Sequence, residues 1–350
     1  MNDLAFLSSH ESASPARPSA SLYPTIALDE LARFLAALQA DARHFVAFLA
    51  ADEATIRLEI PDTFGPSWAD RVVLAFGHGA LIGCALIDFD VTLRRVWFTG
   101  PFAQAEDAAQ WAAIADLLWA ESRLRLVALL GSATDRDAQS LSQPADDLLR
   151  GFRVDLYTDV RNVNLAAFAA RHGFQQRDSD AILWLERSAR PQPQQAGMST
   201  APIRPFQGAD AAGFTALHDA FFPDTYAPAA AIIAKQGSDA DQALLIYAAP
   251  EAAGHAGSAD PGAVLGYAWV ELEAGGDAYL SYIGVAEAAR RGGIGRALVM
   301  AVAAWAFDEH PGVNRLNLTV RSHNAPAIAL YARCGFTYER TAVSYRRELT

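Results

Sequence analysis

The chain has 350 residues, 52% of them hydrophobic and 19% charged. This is the balance of a globular protein long enough for two domains, each with its own core. A net charge of −12 argues against non-specific nucleic-acid binding and suits a cationic substrate such as an amine. The two cysteines, Cys84 and Cys334, lie too far apart for a disulfide framework or a zinc motif. With no basic-then-apolar leader and no apolar run of about 18 residues, a cytoplasmic protein that does not span a membrane is expected.

Residues 1–24 are rich in Ser, Ala and Pro and read as a loose tail. Apolar strands are expected at Val72–Phe76, Leu81–Ile87 and Val96–Thr99, with Gly77-His78-Gly79 as the turn of a first hairpin. A helix follows over 104–121. Residues 189–200 are polar, Pro-containing and aperiodic, and read as a linker. Beyond it the plan repeats. Strands are expected at Ala243–Tyr247, Val264–Val270 and Tyr279–Val285, then a helix over 293–309 and a strand at Arg315–Val320. Gly83 and Gly266 hold the same place in matching strands, and Gly100 and Gly284 are comparable. Asn162…Gly173-Phe174 has the spacing of Asn324…Gly335-Phe336. The glycine pair lies 184 positions apart (284 − 100) and the asparagine pair 162 (324 − 162), so the first copy holds about 22 extra residues near 122–153. The chain therefore reads as an α/β (α+β) protein of two tandem domains, 25–188 and 201–350. Each is a mixed, mostly antiparallel sheet flanked by helices.

The second copy carries the chemistry. Arg290-Arg291-Gly292-Gly293-Ile294-Gly295 follows a strand and opens a helix whose apolar residues Ile294, Leu298, Val302 and Trp305 share one face. A helix N-terminus presents unpaired N–H groups and a positive dipole end, glycine lets the backbone approach an anion, and Arg290, Arg291 and Arg296 add charge suited to a pyrophosphate. The segment lacks the Lys-Ser/Thr ending of a nucleotide-hydrolysing loop and the glycine spacing of a dinucleotide fold. Downstream, Asn324 precedes Pro326 where a helix starts, a position that suits an N-cap. Ala329-Leu330-Tyr331 and Gly335-Phe336 follow.

The run Val285-Ala286-Glu287-Ala288-Ala289-Arg290-Arg291-Gly292-Gly293-Ile294-Gly295 resembles the Val-x-Pro-x-x-Arg-x-x-Gly-x-Gly/Ala pattern of the GNAT superfamily of N-acyltransferases, with Glu287 in place of the proline. The Asn324–Phe336 segment resembles that family's next motif. The resemblance is specific over about 278–337 and architectural over 25–188. It implies transfer of an acyl group, most simply acetyl from acetyl-CoA, to an amine by direct attack, without a metal. Ile283, Gly284 and Val285 would hold the acyl group and pantetheine arm, and residues 290–296 the pyrophosphate. Asn324 would touch CoA, and Tyr331 would protonate the departing thiolate.

A thiol pKa near ~8.5 and a phenol pKa near ~10 are close enough for that proton transfer. An alkyl amine must also lose a proton. Glu271, its neighbour Glu273 and a water chain to solvent are alternative routes. By family layout, Phe222, Tyr226 and Tyr345 line the acceptor pocket, and the acceptor is a small-molecule or peptide amine. Aligned without gaps on Gly100 and Gly284, the first copy has Glu106, Ala109 and Trp111 at the positions of Arg290, Gly293 and Gly295. Pro101 then stands for Val285 and Ala169 for Tyr331. This copy is expected to keep the fold without the chemistry. Two alternatives are an acyl-CoA sensor without an acceptor and a scaffold that binds no CoA.

Overall fold

The computed structural model describes residues 26–133, 148–191, 203–223, 225–237, 240–249 and 263–349. The expected tail and most of the expected linker lie outside these. The strands are β1 (Val72–Gly77), β2 (Ala80–Asp90), β3 (Arg95–Ala103), β4 (Arg153–Asp159), β5 (Gln175–Glu186), β6 (Ile203–Pro205), β7 (Gln242–Ala248), β8 (Val264–Leu272), β9 (Ala278–Val285), β10 (Arg315–Arg321) and β11 (Thr337–Glu348). The helices are α1 (Leu28–Gln39), α2 (Glu53–Phe64), α3 (Ala108–Ala133), α4 (Val163–Arg171), α5 (Ala211–Phe221), α6 (Ala229–Lys235), α7 (Ile294–Ala304) and α8 (Ala325–Arg333).

The chain forms two compact units, Met1–Ser179 with Ala342–Thr350, and Asp180–Thr341. In the first, β1 and β2 form an antiparallel hairpin closed by His78 and Gly79. Both have positive φ (51° and 81°), as the two-residue turn of a right-twisted hairpin requires. β2 pairs antiparallel with β3, and β3 pairs parallel with β4 over Arg95–Trp97. The outer partner of β4 is Ala342–Glu348 of β11, antiparallel. Arg346 Nε donates to Asp155 Oδ1 (2.7 Å), and across the same edge Leu349 N donates to the Phe152 carbonyl (2.7 Å) and Gly151 N to the Leu349 carbonyl (2.9 Å). Helices α1–α4 cover this sheet, and its core includes Val343 and Tyr345 from the chain end. The expected α3 runs further than anticipated, so part of the first copy's extra length is helix.

The second unit orders its strands β6-β7-β8-β9-β10, followed by Asp180–Glu186 of β5 antiparallel to β10. Residues 180–190 are tied in by Arg321–Asp180 (3.1 Å), by Arg187 Nε to the Val313 carbonyl (2.8 Å) and by Arg190–Asp308 (2.5 Å). Thus each segment drawn from the sequence ends in a strand whose later half completes the sheet of the other segment's unit. Pleating sends alternate residues of the second sheet to two cores. On one face α7 and α8 pack on Val270, Leu280, Leu316 and Leu318. On the other, residues of α5 and α6 pack on Leu244, Ile246, Tyr267, Trp269 and Tyr282.

Candidate active site

β8 pairs with β9 from Leu272↔Ala278 to Gly266↔Val285, and Ser281 is the extra residue of a bulge between Leu280 and Tyr282. On its other side β9 pairs with β10, in parallel, only at Leu316↔Ala278 and Asn317↔Tyr279. Past that point the two strands have no ladder between them among the described residues. The β10-facing backbone groups of Leu280–Ile283 thus have no strand partner on that side among the described residues. Gly284 is a packing requirement on the opposite face. An added Cβ would stand 2.7 Å from the Tyr267 ring and 2.9 Å from that of Phe221. Gly284→Ala is expected to lower stability by about 1–3 kcal/mol, read as a fall in the chemical-denaturation midpoint.

From Val285 a short turn (Glu287–Ala289) leads to Arg290, whose Nε donates to the Val285 carbonyl (3.1 Å) and whose guanidinium lies over the Phe221 ring (5.3 Å). Arg291 (φ 66°) and Gly293 (φ 84°) are both left-handed. For arginine that conformation costs about 1–2 kcal/mol, strain of the kind found where a loop is shaped for a ligand. Gly293 is the N-cap of α7, no side chain caps the helix, and no acid stands in its first turn. The space around Gly293 is open, and Gly292 meets only the Ala289 carbonyl at 3.5 Å. The first N–H groups, at Ile294, Gly295 and Arg296, therefore face outward with a positive dipole end behind them. Arg290 and Arg291 are exposed beside them, and the half-buried Arg296 has an Nε with no hydrogen-bond partner. The donor set fits a pyrophosphate. Gly295 serves differently: its Cβ position lies 3.2 Å from Leu330 Cδ2, so α8 packs directly onto the cradle helix.

Tyr331, one residue on, is buried against Phe336 (ring centroids 5.7 Å apart). Its hydroxyl makes no hydrogen bond among the described residues. Burial raises its pKa and keeps the phenol protonated. The Asn324 side chain accepts from Ala327 N (3.3 Å), which makes it the N-cap of α8. Cys334 is fully buried with its thiol pKa raised by desolvation, the environment of an inert cysteine rather than a nucleophile.

Glu271 ends β8 on the opposite face from Tyr331. It accepts from Ser281 Oγ (2.7 Å) and pairs with Lys235 Nζ (3.4 Å). Glu273 accepts from Asn317 Nδ2 (2.8 Å), and desolvation of its carboxylate, with the charges of Asp277 and Glu271 nearby, raises its pKa. Phe222 and Tyr226 pack on Tyr282 (4.8 and 5.6 Å), which stacks on Trp269 and bonds Thr225 Oγ1 (2.5 Å). Tyr345 is a correction: it pairs with Leu156 in β4 and belongs to the core of the first unit, because β11 crosses over. Ser281, Tyr282 and Asn317 were missed. For Asn317 the signal is the alternation of Arg315, Asn317, Thr319 and Arg321 with apolar residues along β10, and for Ser281 that of Tyr279 and Ser281 with Ala278 and Leu280; the bulge at Ser281 breaks the pattern before Tyr282.

Among its described residues the first unit has no such cradle, for a reason the ungapped alignment misjudged. A Cβ at Gly83 would meet the Phe102 carbonyl (2.9 Å), Ile114 (2.7 Å) and Leu118 (3.2 Å). At Gly266 it would meet the Gly284 carbonyl (3.0 Å), Ile294 (3.1 Å) and Leu298 (3.1 Å). Phe102, not Gly100, is thus the counterpart of Gly284, and Ile114 that of Ile294. Residues 108–113 are helix where the second unit has its arginine–glycine loop. Asp107 Oδ1 accepts from Gln110 N (2.8 Å) and so caps α3. Trp111 points into the core against Phe168 rather than into an anion site. Ala169 does stand where Tyr331 does, since Asn162 and Asn324 cap helices of equal length.

Among the described residues no helix is long and apolar enough to cross a membrane, and no group of three His, Cys, Asp or Glu is placed to hold a metal ion. Residues 214–336 match the family model for the acetyltransferase (GNAT) family. Two curated relatives are mycothiol acetyltransferases. The one from Amycolatopsis mediterranei is 34% identical over 96 residues, 25% of this chain and 31% of the relative. The one from Salinispora tropica is 37% identical over 101 residues, 27% of this chain and 33% of the relative. The match thus spans about a third of the length of those relatives. The fold is similar to a GCN5-related N-acetyltransferase from Sphaerobacter thermophilus (TM-score 0.63, 17% identity, 92% of each chain). It is also similar to a tandem GNAT protein from the clavulanic acid biosynthesis pathway (TM-score 0.55, 16% identity, 92% of this chain and 95% of that one). The uncapped α7 behind a parted β9 and β10 therefore lies within the segment, residues 214–336, that matches the acetyltransferase (GNAT) family model.

Proposed function

We propose that the chain is an acyl-CoA-dependent N-acetyltransferase whose second unit is catalytic and whose first unit is a copy that keeps the fold without the cradle. The observation that carries this reading is the uncapped, acid-free N-terminus of α7 set beside the edge of β9 that β10 leaves unpaired. The N–H groups of Ile294, Gly295 and Arg296, with Arg290, Arg291 and Arg296, hold the pyrophosphate. The backbone edge at Ile283–Val285 holds the pantetheine arm and orients the thioester.

The acceptor amine comes from the face that carries Glu271, Ser281 and Tyr282, opposite Tyr331. Its lone pair attacks the thioester carbonyl carbon, a tetrahedral intermediate forms, and the C–S bond breaks. Tyr331 gives its proton to the departing thiolate. The proton lost by the nitrogen leaves through Glu271 or Glu273, and the phenolate is reprotonated from solvent. Glu271 is held by Ser281 and Lys235 in a geometry that suits a proton acceptor or an anchor for the ammonium form of the substrate.

The test is isothermal titration of the whole chain with acetyl-CoA, followed by thiol release across a panel of amines. The expected result is about one site per chain and amine-dependent CoA release. Two sites would give the first unit a cradle of its own. Binding without release for any amine would favour a sensor, and no binding of acyl-CoA or CoA would overturn the reading.

A further inference from the structure

The first unit carries a basic cleft that the transferase reading does not use. It has a volume of about 660 Å³ and is walled by the C-terminal end of α4, the start of β5 and the end of β11. Arg171, His172, Arg177, Arg346, Arg347 and Glu348 line it. This concentration of guanidinium groups stands out in a chain of net charge −12.

Nearby carboxylates engage part of it. Asp116 serves both Arg171 (2.9 Å) and His172 (2.8 Å) through one oxygen. Asp155 is shared by Arg346 (2.7 Å) and Arg95 (2.5 Å). Arg347 has no carboxylate partner among the described residues: its Nη1 donates to the His172 carbonyl (2.6 Å), and its guanidinium lies 5.9 Å over the Trp119 ring. Burial and the neighbouring Arg123 pull its pKa down, as expected of a cation whose surroundings lack a counter-charge. Arg177 is exposed and makes no polar contact among the described residues.

We propose that this cleft binds a small molecule carrying a phosphoryl dianion. Planar guanidinium forks match phosphate oxygens two at a time, and several converging forks favour a dianion over a single carboxylate. The groove is open and roomy enough for a molecule larger than a lone ion. The cleft lies wholly within the first unit, so this assignment stands whether or not the second unit transfers acetyl groups.

The test is isothermal titration of the full chain, in phosphate-free buffer, with inorganic phosphate and with glucose 6-phosphate as a phosphomonoester probe. A Gly293→Glu background silences the cradle of the second unit. The expected result is one saturable site per chain, kept in that background. Arg177→Glu and Arg347→Gln should each weaken it at least tenfold, and the Arg177 variant should melt as the parent does. Tighter binding of glucose 6-phosphate than of inorganic phosphate identifies a phosphomonoester ligand, and equal binding identifies the phosphate ion itself. The proposal is overturned if neither probe shows saturable binding at millimolar concentration, if both substitutions leave binding unchanged, or if citrate binds more tightly than either probe.

Discussion

Tyr331→Phe is expected to lower kcat by about 10²–10⁴-fold, the usual yield of a positioned general acid, and to leave acyl-CoA affinity unchanged within error. The ring stays in place against Phe336, and the lost hydroxyl bonds no described residue, so the fold has little to lose. The pH dependence gives a second readout. Because burial raises the phenol pKa, Tyr331 remains protonated across the assay range, and wild-type activity should not fall on the alkaline side below about pH 10 through this group. Its effect on stability has a definite sign. In the unfolded chain the phenol ionises near ~10 and in the folded one only at higher pH. Folded protein therefore holds more protons above that point, and stability falls as pH rises. The wild type should lose about 1.4 kcal/mol per pH unit more than the Phe variant once pH exceeds ~10. Unchanged kcat in a folded variant would remove Tyr331 from the mechanism.

What could be read in the sequence was local. Gly77-His78-Gly79 needs positive φ at adjacent residues and closes the hairpin as expected. Asn162 and Asn324 each cap a helix three residues into their own backbone. The arginine–glycine run sits between strand and helix because glycine and an uncapped N-terminus are properties of that short stretch. What could not be read was non-local. β5 and β11 have similar length and alternation, so nothing within either strand says that its second half will pair with the other unit. The landmark Gly100 misled for the same reason. Register in β2 and β3 is fixed by what Gly83 must admit from α3, namely Ile114 and Leu118, and that contact is made across the sequence. Tyr345 was placed by analogy with a domain that keeps its own last strand, and this chain exchanges it.

Gly293→Glu is expected to weaken acyl-CoA binding by about 100-fold, roughly 2.7 kcal/mol, through two separable effects. The φ of 84° is unstrained for glycine, whereas glutamate there costs about 1–2 kcal/mol or reshapes the loop. The new carboxylate also settles on the N–H groups of Ile294, Gly295 and Arg296, which the pyrophosphate needs, and repels the phosphates. Gly293→Asn separates the two, because asparagine tolerates the left-handed region and brings no charge; it should keep most of the affinity. The first unit supports the charge argument. There Asp107 caps α3 by accepting from Gln110 N, and the helix begins earlier. If the Asn and Glu variants bound acyl-CoA equally weakly while melting as the wild type does, loop shape rather than charge would govern the cradle. If both bound as tightly as the wild type, the pyrophosphate would have to sit elsewhere than at α7.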